Sequence, residues 1–254
     1  MHAKKSLGQN FLISKAPIKK MIEMCEVSST DTVLEIGPGK GILTREILST
    51  GAKVITIEKD DLLIPILKET FSKEITSGQL TLIHDDVLNY ELQITNYKLI
   101  ANIPYYITGE VIRKFLESNN QPSCMALLVQ KEVAVRIVAN DKKESILSVS
   151  VKVYGNPTYA GTVKRTLFRP IPNVDSGVLI IKNISKDFFI EINEKDFFKI
   201  VKLGFAHKRK QLGANLKEII SKEDLLECGI NPMTRAEDLN IEDWKRLTKI
   251  ISKN

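Results

Sequence analysis

Three apolar runs of this chain end on side chains that could bind a nucleoside. The run VLEI leads into a glycine-rich turn that begins at Gly37, the run VITI ends on Glu58, and the run LTLIH is followed by Asp85 and Asp86. Glycine lets the backbone approach a ligand closely, while carboxylates can accept hydrogen bonds from ribose hydroxyls and from an adenine amino group. Taken singly, the turn could be structural and each acid could cap a helix. Together they predict a nucleoside pocket, with Glu58 on the ribose and Asp86, or its competitor Asp85, on the base.

A fourth run, KLIA, ends on the motif NIPYYIT, which begins at Asn102. The Asn102 side-chain oxygen and a backbone carbonyl near Ile103–Pro104 could accept both N–H bonds of an adenine N6 amine, and so localise the nitrogen lone pair for attack on a sulfonium methyl. The proline stiffens the turn, and Tyr105 could stack on the base. Such a reaction needs positioning and electrostatics rather than a strong base. The alternative is a structural turn in which Tyr105 and Tyr106 are half-buried packing residues.

The elements that must position these residues alternate between strands and helices. Short β-branched runs are separated by amphipathic patterns such as ILTREIL and TGEVIRKFLES, which predicts βαβ units in a doubly wound, mostly parallel α/β sheet. Ligands bind such sheets at the carboxyl ends of the strands. Residues 148–163 and 176–184 indicate further strands at a β-rich end of the sheet. Beyond them the patterns are helical, so we predict a catalytic domain over residues 1–185 and a small helical domain over residues 186–254.

Composition limits the class of protein. Hydrophobic residues make up 43% of the 254 residues and charged residues 27%, which is the balance of a globular protein in water. No apolar run approaches the ~18 residues of a membrane helix, and the N-terminal segment lacks the apolar core of a signal peptide. We therefore expect a cytoplasmic protein that does not associate with a membrane.

The cysteine pattern argues against a metal site or a disulfide framework. Cys25, Cys124 and Cys228 are far apart and odd in number, and no CxxC pattern or histidine cluster accompanies them. This spacing predicts buried, reduced thiols and no bound metal.

Basic residues are unevenly distributed along the chain. The net charge is +6, and residues 1–20, 152–170 and 207–210 contain several Lys or Arg and no acid. Such clusters suit a polyanion such as nucleic acid, although a solvated lysine-rich surface would give the same pattern.

The chain resembles the family of ribosomal RNA adenine N6-dimethyltransferases over nearly its whole length. The segment KKSLGQNFL at 4–12 resembles the family's N-terminal motif, and the glycine turn, Glu58, Asp86 and NIPY follow in the family's order. Three further segments resemble family motifs that general methyltransferases do not share: FRPIPNVDSG at 168–177, FAHKRKQL at 205–212 and RAEDL at 235–239.

The resemblance implies a class I S-adenosylmethionine methyltransferase, with a Rossmann-like sheet and a small C-terminal α-helical domain that recognises RNA. The implied cofactor is S-adenosylmethionine, contacted by Asn10, Leu12, Gly37 (methionine part), Glu58 (ribose), Asp86 (adenine) and Asn102. The implied catalytic residues are Asn102, Pro104, Tyr105 and Phe168, with the two aromatic rings on opposite sides of the target base. Without the resemblance, Asn10, Leu12 and Phe168 would be interpreted as a loop anchor and core packing.

The substrate that the resemblance implies is 16S ribosomal RNA within the small ribosomal subunit. Two methyl groups would be added to N6 of each of two adjacent adenosines in the 3′-terminal hairpin, by a monomer that also takes part in subunit biogenesis. The target adenine would have to leave its stack, which a hairpin loop permits at low cost. The basic clusters would then bind phosphates, in a manner weakened by salt.

Other functions stay open on the sequence alone. A macrolide-resistance methylase shares NxPY chemistry but acts on large-subunit RNA. An adenine DNA methyltransferase would need a DNA-recognition domain, for which little chain remains. A non-catalytic assembly factor could use the same fold. The segments at 168–177 and 235–239 favour the small-subunit enzyme. The chain departs from the family at Tyr106, where Asn is frequent, and at Lys208, where the usual Arg offers a bidentate fork to phosphate.

Overall fold

The computed structural model describes residues 8–139 and 141–252. Contacts divide the chain into two compact units: the first comprises the described residues up to Ala134 together with Asn156–Ile184, and the second comprises Val135–Gly155 together with the described residues from Ser185 onward. The predicted catalytic domain included residues 135–155, whereas the contacts group this segment with the C-terminal part. The functions assigned to the two domains stay predictions.

A mixed seven-stranded sheet forms the centre of the first unit, in the order β4-β3-β2-β5-β6-β9-β7. Parallel pairing joins β4, β3, β2, β5 and β6, whereas β9 and β7 run antiparallel to their neighbours. The short strands β1 and β8 pair with each other in a separate two-stranded sheet. The strands are β1 (Phe11–Leu12), β2 (Thr32–Ile36), β3 (Lys53–Glu58), β4 (Leu80–His84), β5 (Tyr97–Asn102), β6 (Cys124–Gln130), β7 (Asn156–Val163), β8 (Phe168–Arg169) and β9 (Ser176–Lys182).

The strand order confirms the predicted doubly wound, mostly parallel α/β sheet. From β2 the chain extends the sheet in one direction through β3 and β4, then returns to β5 and extends it in the other direction through β6. Because crossovers between parallel strands are almost always right-handed, this reversal of direction is the arrangement that puts helices on both faces of a sheet. The helices of this part are α1 (Ala16–Met24), α2 (Ile42–Leu48), α3 (Leu63–Thr70), α4 (Ser72–Thr76), α5 (Thr108–Glu117) and α6 (Lys131–Val138). The division between the two units falls within α6.

The second unit is predominantly helical, as its sequence pattern predicts. Its helices are α7 (Ile146–Lys152), α8 (Glu194–Gly204), α9 (Leu212–Asn215), α10 (Lys222–Glu227) and α11 (Ile241–Ile251). The last residue of α8, Gly204, lies so close to the Trp244 ring of α11 that an added Cβ would be 2.3 Å from Cη2. The absence of a side chain at Gly204 therefore lets these two helices pack around a buried tryptophan.

The strand predicted from residue 148 was wrong at its beginning, because residues 146–152 form α7. The alternation in SVSV has the period of a strand, but Ser145 caps a helix. Its hydroxyl accepts the N–H of Ser148, and the Ser148 hydroxyl accepts the N–H of Ser145. This capping box, together with the burial of Val149 and Val151, outweighs the weak preference of valine for strands.

The prediction of reduced thiols was wrong for two of the three cysteines. Cys25 and Cys124 form a disulfide, and only Cys228 is a free, buried thiol. Cys25 directly follows α1 and Cys124 begins β6. Their separation of 99 residues gives no reason to pair them in sequence, because α1 and β6 come together only when the sheet forms.

Neither a membrane span nor a metal cluster occurs in residues 8–139 and 141–252. None of their helices is both long and apolar enough to cross a bilayer. The same residues contain no group of three or more His, Cys, Asp or Glu side chains placed to hold a metal ion.

Gly41→Ala should lower the free energy of unfolding more than Gly78→Ala does. Both glycines have a φ of 76°, a left-handed conformation that costs an alanine about 1–2 kcal/mol. A Cβ on Gly41 would lie 2.4 Å from the buried Phe71 ring, whereas a Cβ on Gly78 would meet nothing within 4 Å. We expect the clash at Gly41 to add about 1–3 kcal/mol, measured by urea denaturation. Equal losses in the two variants would contradict a packing role for Gly41.

Candidate functional site

A cavity opens where the carboxyl ends of β2, β3 and β5 meet. Ile36 of β2 lies opposite Ile57 of β3 and Ala101 of β5, so the residues that come directly after these three along the chain reach the same level. The lining segments are 8–12, 36–40 with residue 42, 57–59, 85–88 and 102–107. They include every predicted cofactor-binding residue (Asn10, Leu12, Gly37, Glu58, Asp86 and Asn102) and the predicted catalytic residues Pro104 and Tyr105, but not Phe168.

The Glu58 carboxylate is held in place by backbone donors. Its Oε1 accepts the N–H of Asp60 at 2.8 Å, and its Oε2 accepts the N–H of Gly39 in the glycine turn at 3.2 Å. Burial raises the pKa of the Glu58 carboxyl, and these hydrogen bonds oppose the rise. Each oxygen has a further lone pair. The carboxylate can therefore accept two more hydrogen bonds, such as those of a ribose diol, without moving.

A second acid, Glu35, lies in β2 two residues before Gly37 and was not singled out from the sequence. Its side chain is completely buried, and burial raises the pKa of its carboxyl to about 8. The Thr44 hydroxyl donates to Oε2 at 2.7 Å, while Oε1 is buried without a partner among the described residues. The signal in the sequence is a single acid inside the otherwise apolar run of β2, where an ionised carboxylate would be costly.

Asp86 faces the cavity as one half of an ion pair. Lys59 Nζ lies 2.6 Å from Asp86 Oδ2, and Oδ1 accepts the N–H of Leu88 at 3.0 Å. The hydrogen bond from Lys59 holds the pKa of the Asp86 carboxyl below its usual range. The competing acid, Asp85, also lines the cavity and accepts the N–H of Asp86 at 2.6 Å. Lys59 was missed, although its place directly after Glu58 indicates a residue at the same strand end.

The side chain of Asn102 joins the strand end to the N-terminal segment. Its Nδ2 donates to the carbonyl of Asn10 at 3.1 Å, which leaves Oδ1 as the acceptor atom of the amide. The Pro104 carbonyl already accepts the N–H of Ile107 at 3.2 Å. Among the described residues, the Ile103 carbonyl keeps both of its lone pairs for a bound amine, whereas the Pro104 carbonyl has one left.

The two tyrosines of the motif have different environments. The Tyr105 hydroxyl lies 2.8 Å from the hydroxyl of Ser176, a fully buried residue at the start of β9, and burial raises the pKa of the Tyr105 phenol. The contact with Ser176 thus holds the hydroxyl end of the Tyr105 side chain in place. Tyr106 is 59% exposed, so the alternative of two half-buried packing residues is wrong for this tyrosine.

The N-terminal segment forms one wall of the cavity. Gln9 donates from Nε2 to Asp60 Oδ2 at 2.7 Å, and the ammonium of Lys40 lies 5.1 Å from the centre of the Phe11 ring. Pairing of β1 with β8 places Leu12 opposite Phe168. Phe168 is only 1% exposed and belongs to the hydrophobic core. Its predicted contact with a base would therefore require it to become accessible.

The basic clusters lie in three kinds of environment. Lys4 and Lys5 fall outside the described residues, and the ammonium of Lys15 pairs with Glu46 at 2.6 Å. The cluster 207–210 forms the loop after α8, whose shape is supported by Asn215: its Nδ2 donates to the carbonyls of Gly204 at 2.6 Å and His207 at 3.3 Å. Lys164 and Arg165 flank Asp175, which accepts the N–H of Arg165 at 2.9 Å.

Comparison with known proteins supports the family resemblance of the motifs. The model of a family described as "Ribosomal RNA adenine dimethylase" matches residues 1–253. The "Ribosomal RNA small subunit methyltransferase A" of Dehalococcoides mccartyi is 40% identical over 97% of this chain and 88% of that protein. The protein of the same name from Enterococcus faecalis is 37% identical over 99% of this chain and 91% of its own length.

Solved structures show the same fold. A dimethyladenosine transferase from Plasmodium falciparum is 26% identical, with a TM-score of 0.84 over 96% of this chain and 98% of that one. The 23S rRNA methyltransferase ErmE is 24% identical, with a TM-score of 0.79 over 96% of this chain and 100% of that one.

Glu35→Gln should change the stability of the protein in a pH-dependent way. The folded state raises the pKa of Glu35 from 4.5 to about 8, so between these values it binds more protons than the unfolded state and the wild type loses stability as the pH rises. A glutamine cannot ionise, so the variant should gain on the wild type by up to about 1.4 kcal/mol per pH unit in this range.

Urea denaturation at several pH values between 5 and 8 measures the difference. The exposed Glu69→Gln serves as the control for loss of a surface charge. A difference between Glu35→Gln and wild type that does not change with pH would show that Glu35 is not protonated in the folded protein.

Proposed function

Since the chain belongs to the ribosomal RNA adenine dimethylase family, we propose that it dimethylates N6 of two adjacent adenosines in the 3′-terminal hairpin of 16S ribosomal RNA. As a member of that family it is an rRNA adenine dimethyltransferase. The small subunit in the names of its relatives supports 16S over large-subunit RNA. The observation that carries the proposal is one cavity that joins the glycine turn, two carboxylates and the NIPY motif.

The cavity fits S-adenosylmethionine by the chemistry of its side chains. Glu58 and Asp86 offer acceptors for hydroxyl and amino hydrogens, and Ile36, Ile57, Val87 and Leu88 offer apolar walls to an adenine. Gly37 lines the cavity, and a Cβ added to it would have no atom within 4 Å. The methionine part could therefore approach the backbone closely at this position. Asn10 and Leu12 close the cavity from the N-terminal segment. Asn102 would lie where the cofactor and the target base meet.

The reaction depends on how the target amine is held. When bound, S-adenosylmethionine supplies an electrophilic methyl group on a sulfonium. Asn102 Oδ1 and the Ile103 carbonyl accept the two N–H bonds of the adenine N6 amine and localise its lone pair. The oriented nitrogen would take the methyl group in line as the bond between that carbon and sulfur breaks, and the methylated nitrogen would then release a proton to solvent. Pro104 keeps the turn rigid, so the chain contributes positioning and needs no strong base.

Two aromatic residues would hold the target base. Tyr105 has its hydroxyl anchored on Ser176, which leaves the ring to stack on adenine. Phe168 would pack on the other side of the base. Because Phe168 is buried, this contact requires β8 to shift when RNA binds.

The helical domain over residues 186–254 would recognise the RNA. The loop 207–210 supplies positive charge, and its shape is held by Asn215. Binding through phosphates releases counterions, so it should weaken with salt. We place the reaction in the cytoplasm, where a monomer would act on the assembling small subunit and take part in its biogenesis.

Methyl transfer to isolated ribosomal subunits that lack the modification tests the proposed function. We expect label from S-adenosylmethionine in 16S RNA only, with mass mapping that finds two methyl groups on each of two adjacent adenosines. Naked 16S RNA is assayed beside the subunits. Comparison of the two rates separates recognition of the RNA alone from recognition of the assembled subunit. Label on 23S RNA alone, or no label, would overturn the proposal.

Asn102→Ala should abolish the reaction while RNA binding persists. Loss of the acceptor that orients the amine should lower kcat/KM by about 100-fold or more, the effect of removing one aimed polar group from an active site. Methyl transfer and subunit binding should be measured on the same preparation. The exposed Asn89→Ala is the control. Methylation retained in Asn102→Ala would contradict the amine-orienting role.

A further inference from the structure

Tyr106 is an aromatic residue at the cavity that the reaction described above does not use. It follows Tyr105 in the short 3₁₀ turn Tyr105–Ile107, and both tyrosines line the cavity. Tyr105 is anchored by Ser176, whereas Tyr106 is 59% exposed. The turn therefore presents one ring inside the cavity and a second ring at its solvent side.

The ring of Tyr106 is positioned by a glycine. An added Cβ on Gly8 would lie 3.1 Å from Cδ1 and 3.2 Å from Cε1 of Tyr106, and 3.8 Å from Cβ of Pro104. Gly8 also has a φ of 57°, which an L side chain rarely adopts. The backbone thus packs against one edge of the ring, and the rest of the ring remains open to solvent. A side chain held in place before binding loses less entropy when a ligand stacks on it.

We propose that Tyr106 stacks on the nucleotide that neighbours the target adenosine in the RNA strand, an inference that rests on the proposed function. The target base occupies the place between Asn102 and Tyr105. Because Tyr105 and Tyr106 are consecutive, their Cα atoms are ~3.8 Å apart, and the exposed ring of Tyr106 lies at the cavity next to the place of the target base. Stacking tolerates any base, since every base has a π face. The ring of Tyr106 can therefore stack on either of the two adjacent adenosines while the other one is methylated.

A paired change in protein and RNA tests this contact. Tyr106→Ala and Tyr106→Phe are compared with wild type on a hairpin with two adjacent adenosines, and on the same hairpin with an abasic site in place of the flanking adenosine. We expect Tyr106→Ala to lower kcat/KM about tenfold on the intact hairpin, and Tyr106→Phe to retain wild-type rates. The abasic site should lower the wild-type rate to the same level without further effect on Tyr106→Ala.

Two controls separate this role from others. The exposed apolar residue Ile66 on α3 does not line the cavity, and Ile66→Ala should leave all rates unchanged. The dissociation constant for S-adenosylhomocysteine should be the same in wild type and Tyr106→Ala. Independent losses from the variant and the abasic site, or weaker cofactor-product binding in Tyr106→Ala, would overturn the inference. A wild-type protein that methylates neither the intact hairpin nor small subunits that lack the modification would instead count against the proposed function.

Discussion

Parallel hydrogen bonding of β2 to both β3 and β5 is the constraint on which the site depends. The register sets Ile36 beside Ile57 and Ala101, so Gly37, Glu58 and Asn102, the residues that follow these three, come at one level. Backbone ladders thus bring a glycine turn, a carboxylate and an amide to one level, although 65 residues of chain lie between positions 36 and 102. The strands are buried, so a slip in register would disturb the core as well as the site.

The central strand β2 also contains a buried acid. Glu35 occupies the last buried position but one of β2, where its carboxyl is shielded from water and keeps one oxygen without a partner among the described residues. Glu58 lies on the neighbouring strand, and its negative charge further raises the pKa of Glu35, after the larger effect of burial. A cationic ligand bound in the cavity would favour the ionised form of carboxyls near it.

The sequence could predict what depends on local pattern. Strand ends, the glycine turn and the NIPY motif follow from periodicity and turn chemistry, and the structure gathers them as expected. It could not predict the disulfide of Cys25 or the pairing of Lys59 with Asp86, because both join residues that only tertiary folding makes neighbours. α7 was missed for another reason: one capping box at Ser145 outweighed a strand-like alternation. The exposure of Tyr106 depends on the surface around it, which no local pattern encodes.

Pairing of β1 with β8 has a consequence for the order in which the protein is made. Residues 11–12 leave the ribosome early, but their partners at 168–169 follow only after two thirds of the 254 residues, at about 5–20 residues per second. Ser176, which anchors Tyr105, is translated later still. A nascent chain therefore carries the glycine turn and Asn102 without a finished wall around them. Until these residues emerge, a chain tethered to a ribosome, whose RNA belongs to its substrate class, has no complete site with which to act.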